Sequence, residues 1–332
     1  MNTWIRRNPL QVLLWIMVGI AIWHPQWGHS GARWHPEWLV TVLVSVMFFM
    51  HGLALPTKEL INGIKEWPIH SLIQGCTYIL FPLLGLGLIH YGTSLLDPAI
   101  CLGFFLLCTT SSTVASCIAL TAKSHGRVAV ALFNASLSSV IGVVLTPLLV
   151  SLVATQSGIA LSWPNAFAQI ALHILLPLVA GQAVRLLWSS VAYYLSQLTT
   201  VIDYASIGLV VLNALSDSII SGAFSHSSLT ILASITVTAV ILFWLVIGLL
   251  KIACRYLKLS AADEIAVLYC GSQKSISNGL PIAKILFQGL SSFGIIILPL
   301  VVYHQCQLLF SAFLSDHYVR NYNKQLGQST SH

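Results

Sequence analysis

Ten long apolar runs follow one another along the chain, each ended by charge, proline or a turn cluster. They are Leu10–Trp23, Trp38–Leu55, Pro68–Ile89, Ala99–Ala122, Val128–Ala154, Pro164–Leu187, Val201–Ile220, Leu229–Ala253, Ala261–Phe287 and Ser292–Leu314. A membrane-spanning helix needs ~20 apolar residues, so the pattern predicts an all-α polytopic membrane protein with ten spans and short connections. The first run is the shortest and follows Arg6-Arg7, as a signal peptide would. It continues into Trp23-His24-Pro25 with no small-x-small cleavage site, so it reads as a span.

Composition agrees. Hydrophobic residues make up 57% of the 332 and charged residues only 7%, against ~25% charged in soluble domains. The solvent is therefore lipid, and a nucleic-acid partner is excluded despite the formal charge of +6. The seven cysteines lie in or at the ends of apolar runs without CxxC spacing, so they read as small hydrophobes rather than a disulfide framework or a zinc site. With the N-terminus inside, Arg6, Arg7, Lys58, Lys65, Lys123, Arg127, Arg185, Lys251, Arg255, Lys258, Arg320 and Lys324 all fall on the inner side. Arg33 and Lys284 fall outside, and Lys274 belongs to neither. Cytoplasmic segments hold the basic excess, so both termini are expected in the cytoplasm, with the chain in the plasma (inner) membrane.

Ten spans divide into two fives. Five being odd, the second set starts on the opposite face, which makes any repeat an inverted one. The expected halves are 1–154 and 155–318, with a flexible tail over 319–332. Runs four and nine hold corresponding places and both are interrupted. In run four, Cys108-Thr109-Thr110-Ser111-Ser112-Thr113 breaks an apolar stretch; in run nine, Gly271-Ser272-Gln273-Lys274-Ser275 does so, with Gly279 and Pro281 beyond. Irregular backbone at membrane depth survives only where protein buries it or a cavity meets it. Two discontinuous helices whose breaks meet at mid-membrane would make a substrate or ion site. The competing reading is that the hydroxyls and glycines only glue helices together.

Lys274 is the most telling residue. An ammonium at the bilayer centre costs ~2.5–3.5 kcal/mol on insertion scales, so it faces water or a partner. Asp263 and Glu264 lie about ten residues back, ~15 Å along a helix, and Asp203 and Asp217 sit at opposite ends of run seven. Without a carboxylate, backbone carbonyls and hydroxyls at the broken ends would hold it. Those groups also suit a monovalent cation, so Lys274 is expected to act as a tethered cation or as a titrating proton carrier; the alternative is a lysine that only fixes the fold.

At these breaks the chain resembles the bile acid:sodium symporter superfamily, in the branch of its seventh human member and the bacterial symporters like it. The residues that carry the likeness are Ser112-Thr113-Val114-Ala115-Ser116 with Leu120-Thr121, Leu132-Phe133-Asn134-Ala135, and Gly142-Val143-Val144-Leu145-Thr146-Pro147-Leu148-Leu149. In the second half they are Cys270-Gly271-Ser272-Gln273-Lys274-Ser275, Gly279-Leu280-Pro281, and Leu298-Pro299-Leu300-Val301-Val302-Tyr303-His304-Gln305-Cys306-Gln307-Leu308. The resemblance implies two inverted five-helix repeats, with spans 4 and 9 unwound where they cross. It also implies a panel domain from spans 1, 2, 6 and 7 and a core domain from spans 3–5 and 8–10. Gln74 and Gln273 match glutamines that help bind one of two sodium ions, and Ala115 and Ser116 fall near a Ser-Asn pair of the sodium-coupled members. Those members carry glutamate where this chain has Tyr269, and asparagine where it has Lys274. Losing a carboxylate and gaining an ammonium adds two positive units, which opposes a cation nearby.

His51, His173 and His304 lie in or at the edges of spans. A packed or interfacial histidine competes there with a proton relay, and His304 stands out because it belongs to a family-like motif. Asn134 and Ser138, four apart, share a face of run five. Thr146-Pro147 reads as a kink, and Trp23, Trp38, Trp67 and Trp163 as interfacial anchors. The expected substrate/ion-binding set is Gln74, Thr110, Ser111, Ser112, Thr113, Ser116, Asn134, Ser138, Tyr269, Gly271, Gln273, Lys274, Ser275, Asn278 and His304. The leading reading is a secondary transporter for an organic anion or similar amphipathic solute, coupled to Na+ or H+ and using no cofactor. A non-transporting regulator of ion homeostasis on the same fold is the alternative. No GxSxG, HExxH or paired-carboxylate pattern argues for an enzyme, and no charged ring or filter repeat for a channel.

Overall fold

The computed structural model describes residues 9–55, 66–156, 163–223, 228–287 and 289–329. All the regular structure in them is helical. We label the main helices α1 (Pro9–Trp23), α2 (Pro36–Ala54), α3 (Trp67–Gly92), α4 (Pro98–Thr109), α5 (Val114–Lys123), α6 (Val128–Gln156), α7 (163–187), α8 (Thr199–Ile220), α9 (Ser228–Tyr256), α10 (Ala261–Ser272), α11 (Ile276–Phe287) and α12 (Phe293–Ser329). Every apolar run of the sequence falls on a helix or on a broken pair of helices. Among the described residues, seven helices are long and apolar enough to cross a membrane, and eight spans result when α4 and α5, bent by 62° at their break, count as one. The apolar helix α1 is shorter, at 15 residues, and α10 and α11 have 12 each.

Local chemistry sets the ends. Proline opens α2 and α4, where a missing N–H costs nothing. Asp97 caps α4 by accepting from the Ala99 amide at 2.8 Å, and Ser260 caps α10 by accepting from the Asp263 amide at 3.2 Å. Two wide π turns, Cys76–Leu80 in α3 and Ala171–Leu175 in α7, loosen otherwise regular helices. The last helix continues beyond Leu314 to Ser329, over residues the sequence assigns to a tail. No glycine or proline interrupts the chain between Leu314 and Gly327, so the helix persists where hydrophobicity falls. The basic residues Arg6, Arg7, Lys58 and Lys65, and the side chains of Trp163 and Lys324, lie outside what is described.

Leu83 on α3, Leu176 and Val179 on α7, and Val237 and Ile241 on α9 point outward and are all more than half exposed. Apolar faces of this extent require hydrocarbon around them. Inside, α1, α2, α7 and α8 pack on one another, while α3, α4, α5, α6, α9, α10 and α12 pack around the two breaks; α8 also touches α11 and α12. The tightest crossing is α2 on α7. A side chain at Gly52 would strike the Leu178 carbonyl, and one at Gly181 would strike the Phe49 carbonyl, so these backbones approach through paired glycines.

A polar contact set joins α8 to α11 and to the start of α12. The Lys284 ammonium on α11 donates to Asn213 Oδ1 at 2.6 Å, and Ser218 Oγ donates to the Ser291 carbonyl at 2.9 Å while accepting from the Gly294 amide at 2.7 Å. Beside it Asp217 accepts from Ser30 Oγ at 2.6 Å and pairs with His29 at 2.8 Å. The sequence counts Lys284 with the outer surface, yet it is only 3% exposed; its amine turns inward because Asn213 and the Phe293 ring, 5.9 Å away, receive it.

Gly52→Leu and Gly181→Leu should each lower the unfolding temperature of the purified protein, reflecting an overpacking cost of at least about 1–3 kcal/mol. Gly19→Leu, at a position with nothing within 4 Å of the added carbon, should leave it unchanged.

Candidate functional site

The site is made by two chain breaks that cross. In run four the helix stops at Thr109, the chain runs extended through Thr110–Thr113, and α5 starts at Val114. In run nine it stops at Ser272 and restarts at Ile276. The two extended pieces touch through one backbone bond, the Ser275 amide donating to the Ser111 carbonyl at 2.7 Å. Asn278 Nδ2 adds a bond to Ser111 Oγ at 2.6 Å, and Ser112 Oγ donates to the Cys270 carbonyl at 2.5 Å. Close approach is possible because Gly142 on α6 leaves room for Ser111, and Gly279 for Thr110.

A helix that ends leaves carbonyls without partners, and at membrane depth each must be satisfied. Here the accounting is nearly complete. The Leu106 and Leu107 carbonyls accept from the hydroxyls of Thr109 and Thr110, both at 2.8 Å. The Thr109 carbonyl accepts from Thr146 Oγ1 at 2.7 Å, so Thr146 does more than mark a kink. The Cys108 and Thr110 carbonyls accept from the Lys274 ammonium at 3.1 and 2.9 Å. Its third bond goes to the Thr77 carbonyl at 3.1 Å, in the wide turn of α3. The nitrogen also sits 4.0 Å from the centre of the Phe81 ring, and the residue is fully buried.

No carboxylate meets this ammonium among the described residues. Asp203 pairs with His51, Asp217 with His29, Asp263 with Arg127, and Glu264 accepts from the Tyr318 hydroxyl. Three charge-assisted bonds at ~1.5–3 kcal/mol each and a desolvated cation–π contact of about 2 kcal/mol together rival a desolvation cost of several kcal/mol. The negative end of the α4 dipole works in the same direction. The peptide of Lys274 is gripped as well: its amide donates to Gln307 Oε1 at 2.7 Å and its carbonyl accepts from Gln307 Nε2 at 2.9 Å. Gln307 Nε2 also meets His304 Nδ1 at 3.0 Å.

The remaining residues of the expected set take fixed places. Gln273 Oε1 accepts from Thr113 Oγ1 at 2.6 Å and from Ser116 Oγ at 2.5 Å, and its amide reaches Ser311 Oγ at 3.3 Å. Ser138 Oγ accepts from the Ser112 amide at 2.9 Å, while its carbonyl accepts from the Tyr78 hydroxyl. Gly271 is buried and its carbonyl accepts from Cys76 Sγ at 3.4 Å. Ser275 Oγ accepts from the Asn278 amide at 3.3 Å and caps α11. Three residues stand apart. Gln74 donates to Asn134, which bonds His70, and the Tyr269 hydroxyl meets Ser124 Oγ at 2.9 Å rather than the crossing. Gln273 Oε1 already accepts from two hydroxyls, whereas the Oε1 of Gln74 is buried without a hydrogen-bond partner.

Sequence reasoning missed Thr77, Phe81, Gln307 and Thr146. Gln307 was within reach, since it stands in the motif with His304. The carbonyl of Thr77 carries no side-chain signal at all.

Against the crossing lies a cavity of about 930 Å³. One wall is the first turn of α5, Val114 to Ser116, with Ser275 to Asn278 and His304; the other is His51 on α2 with Asp203 and Tyr204 on α8. The lining continues to Pro9 and to Thr199-Thr200, at the ends of α1 and α8. Thr113 gives its hydroxyl to Gln273, so α5 meets the cavity without a side-chain cap. Lys274 is not in the lining.

Known proteins place this architecture. The chain is 36% identical to "Putative symporter YfeH" of Escherichia coli over 293 residues, 88% of each chain. It is 36% identical to the uncharacterized protein PA2026 of Pseudomonas aeruginosa over 283 residues, 85% of each. Sodium/bile acid cotransporter 7 of Danio rerio is 28% identical over 319 residues, covering 90% of this chain and 92% of its own. The description of one family of membrane transporters matches residues 8–320. A helical membrane protein with two interrupted helices crossing beside a cavity, this chain belongs to the SBF-like CPA transporter family.

Proposed function

We propose that the protein is a secondary transporter that moves an organic anion or similar amphipathic solute by alternating access. One observation carries this reading: the cavity runs from the crossing to one end of the helices, while polar bonds close the other end. Lys284 with Asn213, and Ser218 with Ser291 and Gly294, make that closure. In this reading the ten helical runs are ten spans in two inverted repeats. The packed group α1, α2, α7 and α8 is a panel, and the remainder is a core that moves against it. The distribution of basic residues supports cytoplasmic termini, and with that orientation the open end is the inner one.

Lys274 takes the part of a fixed cation. Its ammonium holds the ends of α4 and the turn of α3 together, as a bound metal ion would, and it stays with the protein through the cycle. It does not touch the solute directly, being outside the lining. The uncapped start of α5 and the start of α11 supply the positive pole for an anionic group. The alternative of a regulator that moves nothing shares this geometry, and transport itself separates the two.

Purified protein in liposomes should accumulate at least one of a panel of labelled amphipathic carboxylates and sulfonates with only K+ or choline as the cation. Absence of uptake under Na+, K+ and pH gradients alike would favour the regulator. Lys274→Met, which leaves three buried carbonyls without a donor, should lower the stability of the purified protein by about 3 kcal/mol or more, read as a fall in unfolding temperature.

A further inference from the structure

The cavity wall formed by α2 and α8 carries an ion pair that the fold does not need for closure. His51 Nε2 lies 2.9 Å from Asp203 Oδ1, and the two side chains keep 21% and 18% exposure. Among the described residues lining the cavity, Asp203 is the sole carboxylate, and no lysine or arginine lines it. Because the Nδ1 of His304, the other lining imidazole, accepts from Gln307 Nε2, the charge of the described lining is set by this pair. With histidine neutral the pair carries one net negative charge; with histidine protonated it carries none.

We propose that His51–Asp203 is the proton-binding site of the cavity, and that the proton taken up there admits an anionic solute, so that proton and anion travel together. In neutral His51, Nε2–H donates to the acceptor-only carboxylate, and Nδ1 holds the lone pair that accepts the incoming proton. Nothing else changes in the step: one proton leaves solvent, one imidazolium forms, and the same proton departs when the cavity faces the other side. An anion entering an ionised, unprotonated pair meets a lone negative charge. After protonation it meets a neutral ion pair opposite two helix starts, so each ligand favours the other.

Other titratable groups on the surrounding elements leave this arithmetic intact. From α7, Arg185 donates to the Leu53 carbonyl at 2.6 Å as a constant charge, and His173 bonds Ser45 at 3.1 Å. Tyr204 follows on α8, and Tyr193 and Tyr194 on the short helix Ser189–Ser196 are exposed. His304, on the opposite wall, holds its Nδ1 toward Gln307 one turn along α12. The described part of α1 has no titratable side chain.

The inference rests on the transporter reading, and its test needs no transport. A cysteine is placed in the lining at Ser139, or separately at Ser277, in the full-length protein. It is then labelled with an anionic and a cationic methanethiosulfonate at pH 8 and pH 6. The ratio of the two rates cancels the thiolate fraction and reports the cavity's charge; the unsubstituted protein, whose cysteines are buried except for half-buried Cys306, gives the background. One unit of charge at ~10 Å in a water-like medium changes each rate about twofold in opposite senses, so the anionic-to-cationic ratio should rise about fourfold on acidification. His51→Gln should hold the ratio low and flat, and Asp203→Asn should raise it at pH 8. A ratio that does not move with pH, that moves equally in His51→Gln, or two thiols that neither reagent reaches would each overturn the proposal. Solute uptake that fails while the ratio behaves as stated would sink the transporter reading alone.

Discussion

An ammonium group bonded to three backbone carbonyls in the middle of a lipid-facing bundle is the constraint on which the rest of the structure depends. Hydrocarbon offers no partner to a broken helix, so each interruption must be repaired from inside the protein. Run four ends by exposing the carbonyls of Cys108 and Thr110; Lys274, from the other interruption, closes both and reaches Thr77 on a third helix. A neutral side chain of the same length would leave the carbonyls bare, and a carboxylate would repel them. The charge is therefore held by geometry, and the geometry by the charge.

The consequences reach outward from that point. Because Gln307 grips the Lys274 peptide on both sides, α12 is fixed to the crossing, and with it His304. Because Thr113 and Ser116 spend their hydroxyls on Gln273, the start of α5 is open to the cavity. The side that repairs the backbone and the side that lines the cavity thus divide the polar residues between them. Facing them, α2 and α8 bring the pair His51–Asp203, joined to the rest mainly at the far end through Lys284 and Ser218.

Much of this was legible in the sequence, and the reasons are physical. Apolar runs show through because lipid tolerates so few polar residues, and the two interruptions show because they violate that rule in matching places. Lys274 announced itself by cost alone. Its carbonyl partners were foreseeable as a class but not by name, since a backbone oxygen has the same chemistry at every position. Asp203 was read as one of several partners for Lys274; a sequence has no means to show that His51, on a helix distant in the chain, receives it instead. Lys284 was placed at the surface because a lysine near a span end ordinarily snorkels to water, whereas here Asn213 draws it inward. The extension of α12 through Ser329 was hidden by polar composition, which ends a span without ending a helix.

The most direct test of the account is thermal unfolding of the purified protein against sodium chloride and choline chloride at matched ionic strength, in wild type and in Lys274→Asn, which empties the carbonyl cage. An ion that binds only the folded state at a hundred times its dissociation constant stabilises it by about 2.7 kcal/mol. A tethered cation at the crossing predicts coincident curves for the two salts in wild type and a sodium-specific rise in Lys274→Asn. A sodium-specific rise in wild type would contradict it.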